Sequence, residues 1–142
     1  MKAVVYACMA DGLEEVECLA AVDVMIRSGI TVKLVSMTGN PVVTGAHGIR
    51  ITADLLWEES QPDEADCIFL PGGMPGTAHL AAHKELGEAL VKAVSEERRV
   101  AAICAAPSVL GGLGLLKGKK ATCYPGFEDK LTGAEYTSQG VI

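Results

Sequence analysis

The chain has 142 residues and a mass of 14.8 kDa, with 49 % hydrophobic and only 4 % aromatic residues. That is one domain's length, with enough Val, Ile, Leu, Ala and Met for a core; it excludes intrinsic disorder and any low-complexity or collagen-like architecture. Twelve basic and eighteen acidic residues leave a net charge of −6, which argues against a nucleic-acid footprint; the short clusters Arg98-Arg99 and Lys117/Lys119/Lys120 read as solvated surface.

In chain order, Lys2–Cys8 is a Val-rich apolar run closed by Asp11-Gly12, which predicts a strand buried on both faces. It is too short for a secretory signal and meets acidic residues almost at once. From Leu13 to Arg27 apolar residues recur at Leu13, Val16, Leu19/Ala20, Val24 and Ile26, a helical period that Gly29 ends. Thr31–Ser36 is a second strand, so the opening unit is strand–helix–strand with a parallel pair. Pro41–Val43 and Gly48–Ile51 flank Thr44–His47 as a hairpin excursion. Asp66–Leu70 is a third buried strand, running into Pro71-Gly72-Gly73. Lys84–Glu97 is an amphipathic helix, and Arg99–Cys104 a fourth strand. Val100–Leu116 has no charged residue, but Pro107, Gly111, Gly112 and Gly114 split it into a buried strand and a buried helix rather than a membrane span. Lys120–Cys123 reads as a fifth strand and Phe127–Leu131 as a helical turn. Strands alternating with helices predict a single α/β domain over residues 1–142 with a mainly parallel sheet, whose ligand sites lie beyond the carboxyl ends of the strands.

Five cysteines, an odd count with no Cys-x-x-Cys spacing, argue against a disulfide framework or a zinc site and for a reducing, cytoplasmic setting. Of these, Cys104 stands apart. A strand runs directly into it, Ala105-Ala106 follow, and Pro107 opens a helix. Small residues permit the sharp strand-to-helix turn that displays a nucleophile, and a helix N-terminus lowers a thiol pKa. Taken alone, the segment fits a buried structural cysteine equally well. Gly72-Gly73, after the preceding strand, frees a backbone N–H that could join the N–H of Ala105 in an oxyanion hole; an ordinary turn has the same sequence. Glu14, Glu15 and Glu17 cluster at a helix start, where acidic residues are usually solvated. They do not share one face, and Glu17 can point toward the strand ends, where a carboxyl group beside a thiolate can donate a hydrogen bond or shuttle a proton.

Together, Gly12-Leu13-Glu14-Glu15-Val16-Glu17, Val22–Ile30, Leu70-Pro71-Gly72-Gly73 and Ala101–Pro107 resemble the DJ-1/ThiJ/PfpI superfamily, over Lys2 to about Thr137. Within it, the chain looks most like the parkinsonism-associated, deglycase-like branch. The resemblance implies a flavodoxin-like three-layer sandwich with the nucleophile elbow at a strand end, Cys104 as the reactive cysteine and Glu17 as its protonated carboxyl partner. The amides of Gly73 and Ala105 would bind an oxyanion or an oxidised sulfur. It implies a homodimer, and a cofactor-free glyoxalase or deglycase acting on α-oxoaldehydes or glycated substrates, with no resident metal or other cofactor. The alternative is an oxidation-sensing chaperone that uses the same cysteine.

Two departures stand out. Tyr124 occupies the position where many members carry a histidine, and a tyrosine hydroxyl, with a pKa near ~10, is a poor base at neutral pH. The chain also stops at Ile142, where relatives continue through a further strand and a long helix, so one face of the sheet is expected to lack cover. Of the histidines, His79 and His83 are spaced for one helix face and a metal pair, and His47 reads as a surface or dimer contact. A peptidase of the PfpI type would place a histidine after the nucleophile, where Ala105 stands. A glutamine amidotransferase would want glycines at Ala102 and Ala106.

Overall fold

A computed structural model describes residues 2–142. Its elements are β1 (Val4–Met9), α1 (Glu15–Arg27), β2 (Thr31–Ser36), β3 (Val42–Thr44), β4 (Arg50–Thr52), β5 (Leu55–Leu56), β6 (Cys67–Leu70), α2 (Gly76–Ala82), α3 (Lys84–Ser95), β7 (Arg99–Ala102), α4 (Pro107–Gly112), β8 (Lys120–Ala121) and β9 (Glu135–Tyr136). Five strands form a parallel sheet in the order β5-β2-β1-β6-β7.

The period-2 geometry of β1 divides the core between the two sheet faces. Tyr6, Cys8 and Ala10 pack with Leu80 of α2, Leu86 and Leu90 of α3, and Val109 and Leu110 of α4. Val5, Ala7 and Met9 pack with Cys18 and Val22 of α1 and with Val43 and Ile51 of the β3–β4 hairpin. The result is three layers, with α2–α4 below the sheet and α1 plus the hairpin above it. Tyr6, Ala7, Cys8 and Met9 are wholly buried, which explains why this strand is an unbroken apolar run rather than an alternating one.

Three expectations need correction. The helical period of the first helix does not mark its buried face: Cys18 and Val22 face the sheet with Ala21 and Met25 beside them, while Val16 (71 % exposed), Val24 (61 %) and Ile26 (55 %) point outward. Both faces carry apolar residues at helical spacing, so the period alone cannot choose between them. The strand before Cys104 is the sheet's edge and not a buried strand: Arg99 and Ala101 are exposed, and the edge borders a groove of about 770 Å³ lined by Val100, Ile103, Pro107 and Leu110 among others. The predicted fifth strand is only Lys120–Ala121, and it pairs with β9 in a separate two-stranded sheet. The short β5 closes the opposite edge of the main sheet.

Among the described residues, no helix is long and apolar enough to cross a membrane.

Candidate active site

The carboxyl ends of β1, β6 and β7 carry the three sequence features to one rim. β7 is held to β6 as far as the Ile103 amide, which donates to the Leu70 carbonyl at 3.2 Å. The chain then turns sharply. Cys104 sits at φ +63°, a left-handed conformation that costs a non-glycine residue energy. The turn closes through the Ala106 amide on the Ile103 carbonyl at 3.0 Å, and Pro107 starts α4. This strained turn, in which Cβ is thrown outward, is the elbow that the strand–Cys–Ala–Ala–Pro pattern predicts. The Cys104 carbonyl accepts from the Tyr124 amide at 2.7 Å, which ties down the far side of the turn.

Gly72 and Gly73 are required here for different reasons. A Cβ on Gly72 would stand 2.5 Å from Glu17 Oε1 and 2.6 Å from Cys104 Cβ. Only glycine lets the carboxylate and the cysteine close over the same backbone. Gly73 lies at φ +94°, with its Cα against the Gly12–Glu14 backbone. In that conformation its N–H faces the Cys104 sulfur, as does the N–H of Ala105.

Glu17 reaches the same point from α1. Glu14 is the helix N-cap, and its side chain accepts from the amides of Val16 (3.3 Å) and Glu17 (2.7 Å). The Glu14 amide in turn donates to the Gly72 carbonyl at 2.9 Å, locking the first turn of α1 to the Gly72-Gly73 strand end. Glu17 Oε1 is thereby buried with no conventional hydrogen-bond partner among the described residues. A buried, unsatisfied carboxyl oxygen is costly, and such groups concentrate where chemistry needs them. Burial pushes the Cys104 thiol up, as do the hydrogen bond and charge of Glu17, while the amides of Ala105 and Gly73 pull it down. The net direction is upward. The lowering expected from a helix N-terminus is thus outweighed, because the thiol is half-buried and the Glu17 side chain stands beside it.

Cys104, Glu17, Gly73 and Ala105 therefore meet at one point. The histidines do not join them. His79 Nδ1 lies 2.9 Å from the Asp11 carbonyl, to which it can only donate, and His83 Nδ1 accepts from the Leu86 amide at 3.1 Å. A neutral His83 then carries its proton on Nε2 and has no lone pair left for a metal. His83 is also not on the helix with His79: α2 ends at Ala82 and His83 caps α3. The metal pair that the spacing suggests is absent. One group among the described residues, Glu14, Glu15 and His47, brings potential ligand atoms within 4.8 Å of one another, but its two carboxylates already accept from backbone amides and Glu15 also from His47 Nδ1. Tyr124 places its backbone beside Cys104 and leaves its side chain 57 % exposed. Of the other cysteines, Cys8 and Cys18 are buried, and burial lifts both thiols, that of Cys18 to about 12.

The role of Glu15 is not legible in the sequence, where it is one of three glutamates at a helix start. It is the buried one, at 3 % exposure.

A parallel sheet with helices on both faces and a strained cysteine at a strand end, backed by a Gly-Gly turn and an inward glutamate, defines a class of α/β proteins built around a nucleophile elbow. The chain belongs to the DJ-1/PfpI family, whose pattern it matches over residues 2–142. It is 41 % identical over 124 residues to protein DJ-1 homolog B of Arabidopsis thaliana, covering 87 % of this chain and 28 % of that protein. The chain spans less than a third of the length of the two Arabidopsis homologues it matches. With a deglycase of Pyrococcus abyssi it shares 36 % identity over 125 residues, 88 % of this chain and 74 % of the relative. Among solved structures, Drosophila melanogaster DJ-1beta superposes with a TM-score of 0.92 at 31 % identity, over 98 % of this chain and 75 % of that one. A DJ-1 superfamily protein from Salmonella typhimurium gives 0.94 at 29 % identity, over 100 % and 77 %.

Proposed function

We propose that this chain carries the active site of a cysteine-dependent, cofactor-free glyoxalase or deglycase that acts on methylglyoxal-type carbonyls or their adducts. The observation that carries the reading is the single point at which the Cys104 sulfur meets the N–H groups of Gly73 and Ala105 and the Glu17 carboxyl. The deglycase names of archaeal relatives at 33–36 % identity support it.

With methylglyoxal, the Cys104 sulfur adds to the aldehyde carbon, forming a C–S bond, and the former carbonyl oxygen becomes an oxyanion that the two amides stabilise. Glu17 takes the thiol proton and returns it to that oxygen, giving a hemithioacetal. Glu17, having returned that proton, takes the C1 hydrogen as a proton and delivers it to C2, so that C1 is oxidised and C2 reduced within one molecule and a thioester of lactate results. Water cleaves the thioester, releasing lactate and restoring the thiol. The balance is methylglyoxal plus water to lactate, with no external oxidant or reductant. Formation of lactate from methylglyoxal in glutathione-free buffer tests the reading; equal activity in Cys104→Ala removes it.

A second reading rests on Tyr124, which puts no imidazole beside the sulfur to activate the hydrolytic water. Here Cys104 is a redox sensor: two equivalents of peroxide each transfer one oxygen to sulfur and leave as water, and the resulting sulfinate sits on the same amides. Peroxide treatment followed by peptide mass analysis tests it, and oxidation spread evenly over the five cysteines counts against it. We further infer a homodimer, supported by the outward apolar residues Val16, Val24 and Ile26 of α1.

A further inference from the structure

The β3–β4 hairpin lies outside the main sheet, yet its turn reaches the catalytic rim. There it meets Glu15, whose carboxylate accepts from the amides of His47 (2.9 Å) and Ile49 (3.2 Å) and from the His47 ring at Nδ1 (2.8 Å). Gly45 makes room for this: a Cβ there would collide with the Glu15 carboxylate. Backbone bonds from Ala46 N to the Leu13 carbonyl (2.7 Å) and from Gly12 N to the Thr44 carbonyl (2.8 Å) stitch the same turn to the loop before α1. Asp11 Oδ1 adds a bond from the Thr44 amide at 2.9 Å. The other end of that loop is Glu14, which both caps Glu17 and holds Gly72.

We propose that Glu15 and His47 form a positioning clamp for the reactive centre: the pair fixes the Thr44–Ile49 turn against the first turn of α1 and so sets where Glu17 stands relative to the Cys104 sulfur. Neither residue touches the sulfur. Both act through Glu17, which lies two residues beyond Glu15 on the same helical turn. The proposal rests on the reading of Cys104 and Glu17 given above. It assigns a function to a hairpin that otherwise contributes only Val43 and Ile51 to the core.

The test uses the pH profile of Cys104 alkylation by iodoacetamide, read from the Cys104 peptide by mass spectrometry, and needs no turnover. Glu15→Gln keeps an acceptor for the two amides but loses the charge. His47→Gln changes a side chain that is 67 % exposed and leaves both backbone bonds in place, so at least this variant folds. Glu17→Gln supplies the reference shift. Both clamp variants are expected to move the midpoint toward that of Glu17→Gln by half the difference or more, and to add nothing when combined with Glu17→Gln. A clear shift in Glu17→Gln with none in either clamp variant, or shifts that add fully to it, overturns the clamp while leaving the reading of Glu17 intact. No shift in Glu17→Gln itself overturns both.

Discussion

The Cys104 thiol stands among the amides of Gly73 and Ala105, which pull its pKa down, and the Glu17 carboxyl, which together with burial pushes it up. Three of its neighbours could be read in advance: a Gly-Gly pair after one strand, a small residue after the cysteine, and a glutamate one turn into the first helix. The sequence could not show that Gly72 is needed for space and Gly73 for conformation, because that difference exists only once α1 is docked. Gly72→Ala is expected to lower methylglyoxal turnover by about a hundredfold, since it drives the carboxylate and the thiol apart by an ångström-scale shift. Steady-state lactate formation measures it, and an unchanged rate would show that the close approach is incidental. Tyr124→His places an imidazole on the segment tied to the Cys104 carbonyl and should raise turnover by about tenfold or more through general-base activation of water; the same assay decides.

At the scale of the element, α1 shows what periodicity leaves open. It has apolar residues on two faces, and the choice between them is made by the sheet and the hairpin, not by the helix. Val22→Ala should therefore cost about 2 kcal/mol of stability through lost burial, whereas Val16→Ala should cost less than about 0.5 kcal/mol in the monomer. Urea denaturation of both variants distinguishes this face from the one the pattern suggests. The start of α1 also sets a pH window. Burial opposes the charge on Glu15, but the His47 hydrogen bond and the backbone amides hold its pKa down from an ordinary 4.5 to about 2. Its contribution to stability is thus present above pH 4.5 and lost as pH falls toward 2. The Glu15 hydrogen bond and charge raise His47 above its ordinary 6.5, so its contribution is complete below pH 6.5 and lost as pH rises through its folded value. The difference in melting temperature between the wild type and His47→Gln should be greatest between pH 4.5 and 6.5 and shrink on either side.

For the whole molecule, the alternation of strands and helices in the sequence suffices for an α/β fold with a parallel sheet, because each apolar run is bounded by turn residues and each helix has room to cross over. Strand order is less legible. β5 is only two residues long and carries no strand signal of its own; it exists because Leu55 and Leu56 continue the β2 edge. Lys120–Ala121 looks like a continuation of the sheet but pairs locally with Glu135–Tyr136. The residues that meet at the Cys104 turn are of chemically restricted types and so stand out in a sequence, whereas an edge strand and a core strand differ mainly in what lies beside them. This architecture sets one thiol of five, that of Cys104, apart from the rest. The most direct measurement labels the folded protein with substoichiometric iodoacetamide, with and without methylglyoxal, and quantifies each cysteine by peptide mass. The predicted result is that Cys104 carries most of the label and that methylglyoxal protects it. Comparable labelling of Cys104, Cys67 and Cys123, or no protection of Cys104, would contradict the account.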